Sequence, residues 1–323
     1  MELTEANAGA WLGQRGIPAT GGRFSELGGG VSNTVILAEL TDRRIVLKQS
    51  LGKLRVEREW LSERGRIFRE SAAMNWLTGR IRGGRVPRVL FEDRQHYIIA
   101  MEAAPVDATM WKTRLFQEEF HPTHAQAAGT LLGSIIAGSW GSPEAENIFG
   151  DQTVFDELRI DPYYRFTAGQ VPASSEYILA LVQKSAQRRF SLVHGDWSPK
   201  NLLCGRDGMW AIDWEVVHFG DPAYDVGFLL NHLTLKSIAM PALGRHLAGL
   251  ANAFLEALRI QLPIDGKWVA DAGFEHLPAL MLARVEGKSP AEYLTPPMRE
   301  EARRKALALM QEPAHSVEEV WER

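Results

Sequence analysis

Apolar positions change their rhythm at Pro105. Before it, apolar residues alternate with polar ones or run on in short stretches, as in strands. Two strand-like segments, one at Phe24 and one over 33–37, flank the glycine-rich run Leu27-Gly28-Gly29-Gly30-Val31-Ser32, which predicts a hairpin. A β-branched segment over 44–49 predicts a third strand, and 87–101 predicts two more joined by a turn at Glu92-Asp93-Arg94-Gln95. The run Tyr97-Ile98-Ile99-Ala100-Met101 is apolar enough for a central strand. Thr4 is placed to cap a short helix that stops near Gly16, with Pro18 beyond it. Helical spacing of Trp60, Leu61, Ile67, Phe68, Ala73 and Trp76 predicts helix over 56–77, divided at Gly65.

After Pro105 the spacing predicts helices over 123–140, 154–160, 174–188, 222–236, 242–260, 268–285 and 297–310. Short strands are expected only between 192 and 213. The pattern predicts an α+β fold: an N-terminal antiparallel sheet lobe, 1–104, and a larger helical C-terminal lobe, 105–323. A chain of 323 residues that is 45% apolar can bury a sizeable core. The formal charge of −4 gives no reason to expect nucleic acid or an anionic membrane as partner. The single cysteine, Cys204, excludes an internal disulfide and fits a reducing compartment; its apolar strand makes it buried filler. The acidic start Met1-Glu2-Leu3-Thr4-Glu5 lacks the pattern of a signal peptide, and the apolar stretch 131–137 is too short to span a bilayer. A soluble, cytoplasmic protein is expected.

The candidate chemistry lies in the middle of the chain. Leu192-Val193 leads into His194-Gly195-Asp196-Trp197-Ser198-Pro199-Lys200-Asn201, and apolar residues resume at Leu202. Further on, Trp210-Ala211-Ile212-Asp213-Trp214-Glu215 sets a second acid at the end of a strand. Alone, the first segment also reads as a polar turn. The pair, Asp then Asn five residues on, then Asp at a strand end, is the arrangement of phosphoryl transfer. That reaction needs a carboxylate for the attacking hydroxyl's proton, which is Asp196, and oxygen ligands for magnesium, which are Asn201 and Asp213.

These residues, His194-Gly195-Asp196 through Asn201 with Ile212-Asp213-Trp214, resemble the aminoglycoside phosphotransferase family. Those are small-molecule kinases of protein-kinase-like fold, with choline, homoserine, fructosamine and methylthioribose kinases among their relatives. The resemblance implies ATP and Mg2+ as cofactors and a small-molecule hydroxyl as acceptor. It makes the loop with Gly28, Gly29, Gly30, Ser32 and Asn33 a nucleotide loop, although a plain glycine hairpin fits the same residues. Lys48 becomes the phosphate-binding lysine rather than an exposed edge charge, and needs a carboxylate from the next helix. Glu57, Glu59, Glu63 and Glu70 are available, and Glu70, amid Ile67, Ala73 and Met74, is the choice. Glu102 and Ala104, at the end of the fifth strand, take the place of the adenine-binding segment. Asp225, in Gly220-Asp221-Pro222-Ala223-Tyr224-Asp225, matches an acid that supports the catalytic loop. Lys200, Glu215, Arg284 and Lys288 are further substrate or support candidates. His194 is expected to brace its loop. Tyr163-Tyr164-Arg165 either lines a substrate site or packs beneath a loop.

Two other readings compete. A nucleotide-binding pseudokinase has no need of Lys48, Asp196, Asn201 and Asp213 together. A hydrolase built on Asp196 and Asp213 lacks a nucleophile or a second metal site. The short run from Asp213 to Asp221 leaves no room for a long activation segment, which excludes a protein-kinase type of substrate. The acceptor is a metabolite or an antibiotic; the C-terminal half shows no clear acidic excess to suit a polycationic aminoglycoside, which favours a metabolic or otherwise neutral one.

Overall fold

A computed structural model describes residues 1–28, 32–52 and 62–323. The chain forms two compact units: one of Met1–Thr78, Val86–Val106 and Asp213–Val216, the other of Gly79–Arg85, Asp107–Ile212 and Val217–Arg323.

The first unit begins with helix α1 (Glu5–Gly13), then strands β1 (Arg23–Glu26), β2 (Asn33–Glu39) and β3 (Arg44–Ser50), and helix α2 (Arg66–Leu77). After β4 (Gly84–Arg85), which belongs to the second unit, come β5 (Val89–Asp93) and β6 (Ile98–Glu102). They make a five-stranded antiparallel sheet in the order β1-β2-β3-β6-β5. Alternation on β2 and β3 turns Ile36, Ala38, Ile45 and Leu47 to one face, where Leu3, Ala8, Trp11 and Leu12 from the N-terminal segment and α1 cover them. The opposite alternation turns Lys48 away from that core, on a register that pairs it with Val35 and Ile99.

Two details depart from expectation. The turn after β5 falls at Arg94–Tyr97, because Asp93 extends the strand and its Oδ1 accepts from the N–H groups of Gln95 and His96 (both 3.1 Å). The helix predicted over 56–77 is described only from Ser62 on, and there it starts at Arg66.

The second unit continues with β7 (Thr109–Met110) and helices α3 (Trp111–Phe116), α4 (Pro122–Ser139), α5 (Pro143–Phe149) and α6 (Thr153–Phe155). A π-helix over Asp156–Arg165 runs into α7 (Phe166–Gln170), and α8 (Ser175–Gln187) follows. Strands β8 (Ser191–Val193), β9 (Leu202–Gly205), β10 (Gly208–Ala211) and β11 (His218–Gly220) come next. The C-terminal helices are α9 (Ala223–Ala239), α10 (Gly244–Gln261), α11 (Trp268–Glu286), α12 (Pro296–Gln311) and α13 (Val317–Glu322). Strands β4, β10, β9 and β7 form one small sheet, and β11 pairs with β8 in another.

The helix predicted to end at Ile160 instead passes through Pro162. In an α-helix the Pro162 ring would meet the Leu158 carbonyl. The wider π turn avoids this, and that carbonyl accepts from Arg159 Nη1 (2.8 Å). Helices α9 and α11 pack backbone to backbone. A Cβ on Gly227 would stand 2.7 Å from the Gly273 carbonyl oxygen, so no side chain fits there. This contact fixes α9, which carries several of the groups described below.

Candidate functional site

In the first unit the sequence candidates gather around Lys48. Its side chain is buried, and Nζ lies 2.6 Å from Glu70 Oε2 and 2.6 Å from Asp213 Oδ1. The stripe Arg66, Glu70, Ala73 and Leu77 on the buried side of α2 aims Glu70 inward. Glu70 Oε1 also accepts the Trp214 N–H (3.3 Å), which fixes the turn carrying Asp213. Asp213 takes a left-handed backbone, φ 69°, that aspartate tolerates better than most residues. Burial opposes the charge of Lys48, but the Asp213, Glu70 and Glu215 carboxylates outweigh it and hold its pKa above the ordinary value. Burial pushes the Glu70 carboxyl up; Lys48 pulls it down, but the like charges of Asp213 and Glu215 add to the rise. One ammonium shared between two carboxylates cannot fully compensate both.

Glu215 builds a second knot in the same unit. Its Oε1 accepts from Ser32 Oγ (2.6 Å), and its Oε2 from Asn33 Nδ2 (2.9 Å) and Arg66 Nε (2.9 Å). Arg66 Nη2 closes it by donating to the Ser32 carbonyl (2.6 Å). Ser32 and Asn33 are thereby fixed at the end of the glycine loop. Of its glycines, Gly28 is exposed, while Gly29 and Gly30 lie outside the described residues, as do Glu57 and Glu59. Glu63 is exposed. Glu102 ends β6, its N–H donating to the Arg88 carbonyl (2.9 Å), and the Ala104 carbonyl accepts from Arg44 Nη1 (2.9 Å).

In the second unit the loop between β8 and β9 is held from below by Asp225, at the start of α9. Its two carboxylate oxygens accept from the His194 and Gly195 N–H groups, at 2.6 and 2.9 Å. Burial raises the Asp225 carboxyl to about 7, and these two bonds work against that rise. Gly195 has φ 79°, a left-handed conformation that glycine adopts at no steric cost. His194 braces the loop: Nδ1 accepts the Asp196 N–H (3.1 Å) while Nε2 meets the Ile212 carbonyl (3.0 Å), assigning the proton to Nε2. The Asn201 amide donates to the Asp196 carbonyl (3.0 Å), which turns Oδ1 into its remaining acceptor.

The Asp196 carboxylate is flanked by Arg159 Nη2 (3.0 Å) and Lys200 Nζ (3.4 Å). Arg159 also donates from Nε to the Gly195 carbonyl (2.6 Å). It stands on the π-helix, and nothing in the local sequence marks it. Tyr164 packs below, bonded to His276 Nδ1 (2.7 Å), while Tyr163 meets Arg284 Nη1 (3.3 Å). Arg284 also donates to Ser289, and Lys288 pairs with Asp161 (2.8 Å).

A profile of the phosphotransferase enzyme family (APH) matches residues 23–259. That is most of the chain. The chain belongs to the phosphotransferase enzyme family. Solved structures share its protein-kinase-like fold. An amicoumacin kinase in complex with AMP-PNP and Ca2+ is 13% identical at a TM-score of 0.60, over 91% of this chain and 89% of that one. A spectinomycin phosphotransferase in complex with ADP and spectinomycin is 14% identical at 0.56, over 100% and 98%. A macrolide 2'-phosphotransferase from Brachybacterium faecium is 15% identical at 0.53, over 95% and 98%. Comparison with curated protein sequences returns no match. The α+β class expected above is that of this phosphotransferase family. Among the described residues, no helix is long and apolar enough to cross a membrane.

Proposed function

We propose that this phosphotransferase moves the terminal phosphate of ATP, with magnesium, to a hydroxyl of a small molecule. The observation that carries the reading is Lys48, a buried lysine held 2.6 Å from both a helix glutamate, Glu70, and a strand-end aspartate, Asp213. A binding module has no physical need for that cost of burial. Lys48 positions the phosphates, and Ser32 and Asn33, fixed by Glu215, present the end of the glycine loop to them. Among the described residues no three His, Cys, Asp or Glu side chains gather as a metal cluster. Magnesium does not need one, since it keeps water and phosphate oxygens beside one or two protein ligands. The hard oxygens of Asp213 and Asn201 fit that requirement. Magnesium held by these residues would neutralise the charge that develops on the phosphates. Asp196 accepts or orients the acceptor hydroxyl's proton, and Arg159 and Lys200 fix the direction of its carboxylate.

The test is Asp196→Asn, which keeps shape and loses basicity. A positioned acid–base group supplies about 10²- to 10⁴-fold in rate. The variant is expected to bind Mg–AMP-PNP as the parent does in calorimetry, and to transfer phosphate at least ~100-fold more slowly. Full transfer activity in Asp196→Asn would remove Asp196 from the mechanism.

A further inference from the structure

The second unit holds a set of charged groups that this chemistry leaves unused. Lys236, about three turns along α9 from Asp225, is 1% exposed. Among the described residues its ammonium has a single hydrogen bond, a 3.4 Å approach to the His232 carbonyl. The rings of Phe116 and Tyr293 cover it, their centroids 5.5 and 5.3 Å from Nζ. Among the described residues no carboxylate pairs with it. Lysine is almost never buried this far without a partner.

Its surroundings carry the same sign. Burial first, then Lys112 from α3 and Arg284 from α11, push the Lys236 pKa down to about 7. Burial, Lys236, Arg284, Lys200 and Lys112 depress His232, one turn away on the same face, well below its usual value. Two polar atoms are left over: among the described residues Arg284 Nε, a donor, and Tyr293 Oη, which can donate, are buried with no partner. Cations and spare donors without a carboxylate form the complement of an oxyanion. The cluster is also tied to the loop that carries Asp196. The Lys112 N–H donates to the Pro199 carbonyl (2.8 Å), and α9 supplies Asp225 beneath the same loop.

We propose that Lys236, with Lys112, Arg284 and Tyr293, binds an anionic group of the phosphate acceptor, a carboxylate or a phosphate monoester. That it is the acceptor's group rests on the kinase reading above; that the cluster binds an oxyanion does not. A polycationic amino sugar is the wrong charge for this subsite.

The experiment titrates inorganic phosphate and malonate, separately and without nucleotide, into the parent and Lys236→Met. Thermal melts and calorimetry at pH 6.5 are read against sodium chloride of equal ionic strength. Removing a buried, unpaired charge does not threaten folding, so the variant is expected to melt no lower than the parent. The parent is expected to melt higher with at least one anion than with the salt control, and the variant to lose at least about tenfold in that affinity. A response to phosphate alone assigns the acceptor a phosphate monoester; a response to malonate alone assigns it a carboxylate. Lys112→Gln, at an exposed position, is expected to weaken the same binding. No response in the parent beyond the salt control, or equal affinity in Lys236→Met, overturns the proposal. Mg–AMP-PNP is titrated in parallel: its failure to bind the parent counts against the kinase reading alone, because the anion arm contains no nucleotide.

Discussion

Lys236 holds its proton only up to about pH 7 in the folded chain, because burial, then Lys112 and Arg284, penalise its charge. In the unfolded chain a lysine keeps its proton to about pH 10.4. Between those values the unfolded state binds more protons than the folded one, so stability rises with pH, by up to about 1.4 kcal/mol per unit. The contribution is complete above the unfolded value and is lost as pH falls to about 7, where both states are charged. Lys112, Arg284 and His232 face the same ammonium, and none supplies an opposing charge. Urea midpoints at pH 7, 8 and 9 are expected to show Lys236→Met ahead of the parent by a margin that shrinks as pH rises. A constant margin would mean that Lys236 stays charged. Single residues also show what the sequence could disclose. Glu70 was legible as the partner of Lys48 because its neighbours on α2 are apolar at helical spacing. Lys236 and Arg159 were not, since Lys236 reads as the polar end of a helix and Arg159 as a charge on its solvated face. The contacts that give them meaning join positions far apart in the chain.

At the scale of elements, Glu215 ties the end of the glycine loop to the start of α2 through Ser32, Asn33 and Arg66. Both members of the Arg66–Glu215 pair are buried, and removing one partner leaves an uncompensated charge. Such a loss costs about 3–5 kcal/mol. Glu215→Ala is expected to lower the unfolding midpoint and, by loosening Ser32 and Asn33, to weaken Mg–AMP-PNP binding in the same preparation. An unchanged midpoint would show that Arg66 finds another acceptor. The elements themselves were largely visible from periodicity: every long helix after Pro105 lies within a few residues of its expected span. The π-helix was not, because Pro162 in an apolar helical pattern reads as a stop. Strand β11 was also missed, since three residues paired with β8 leave no period to detect.

At the scale of the whole molecule, a ligand that binds only the folded chain stabilises it by mass action, by about 2.7 kcal/mol at a hundred times its Kd. ATP with magnesium is expected to raise the melting temperature of the parent, and Asp213→Ala to remove the part of that rise that magnesium adds. A melting temperature indifferent to millimolar nucleotide, with and without metal, would contradict the proposed function. The change of period at Pro105, one residue before the first unit's 86–106 segment ends, shows in the sequence. The return of 213–216 to the first unit does not, because it depends on Lys48 and Glu70. Within the second unit, the contact of Gly227 with Gly273 bears on how this chain can change over time. The two helices that carry Lys236 and Arg284 meet there at two glycines, with the His276 and Val226 side chains closing the remaining space, so neither glycine has a side chain to trim. Descendants can therefore alter their acceptor by exchanging residues such as Phe116, Tyr293 or Lys236 itself. Any lineage that parts the helices to admit a bulkier molecule would carry a larger residue at position 227 or 273.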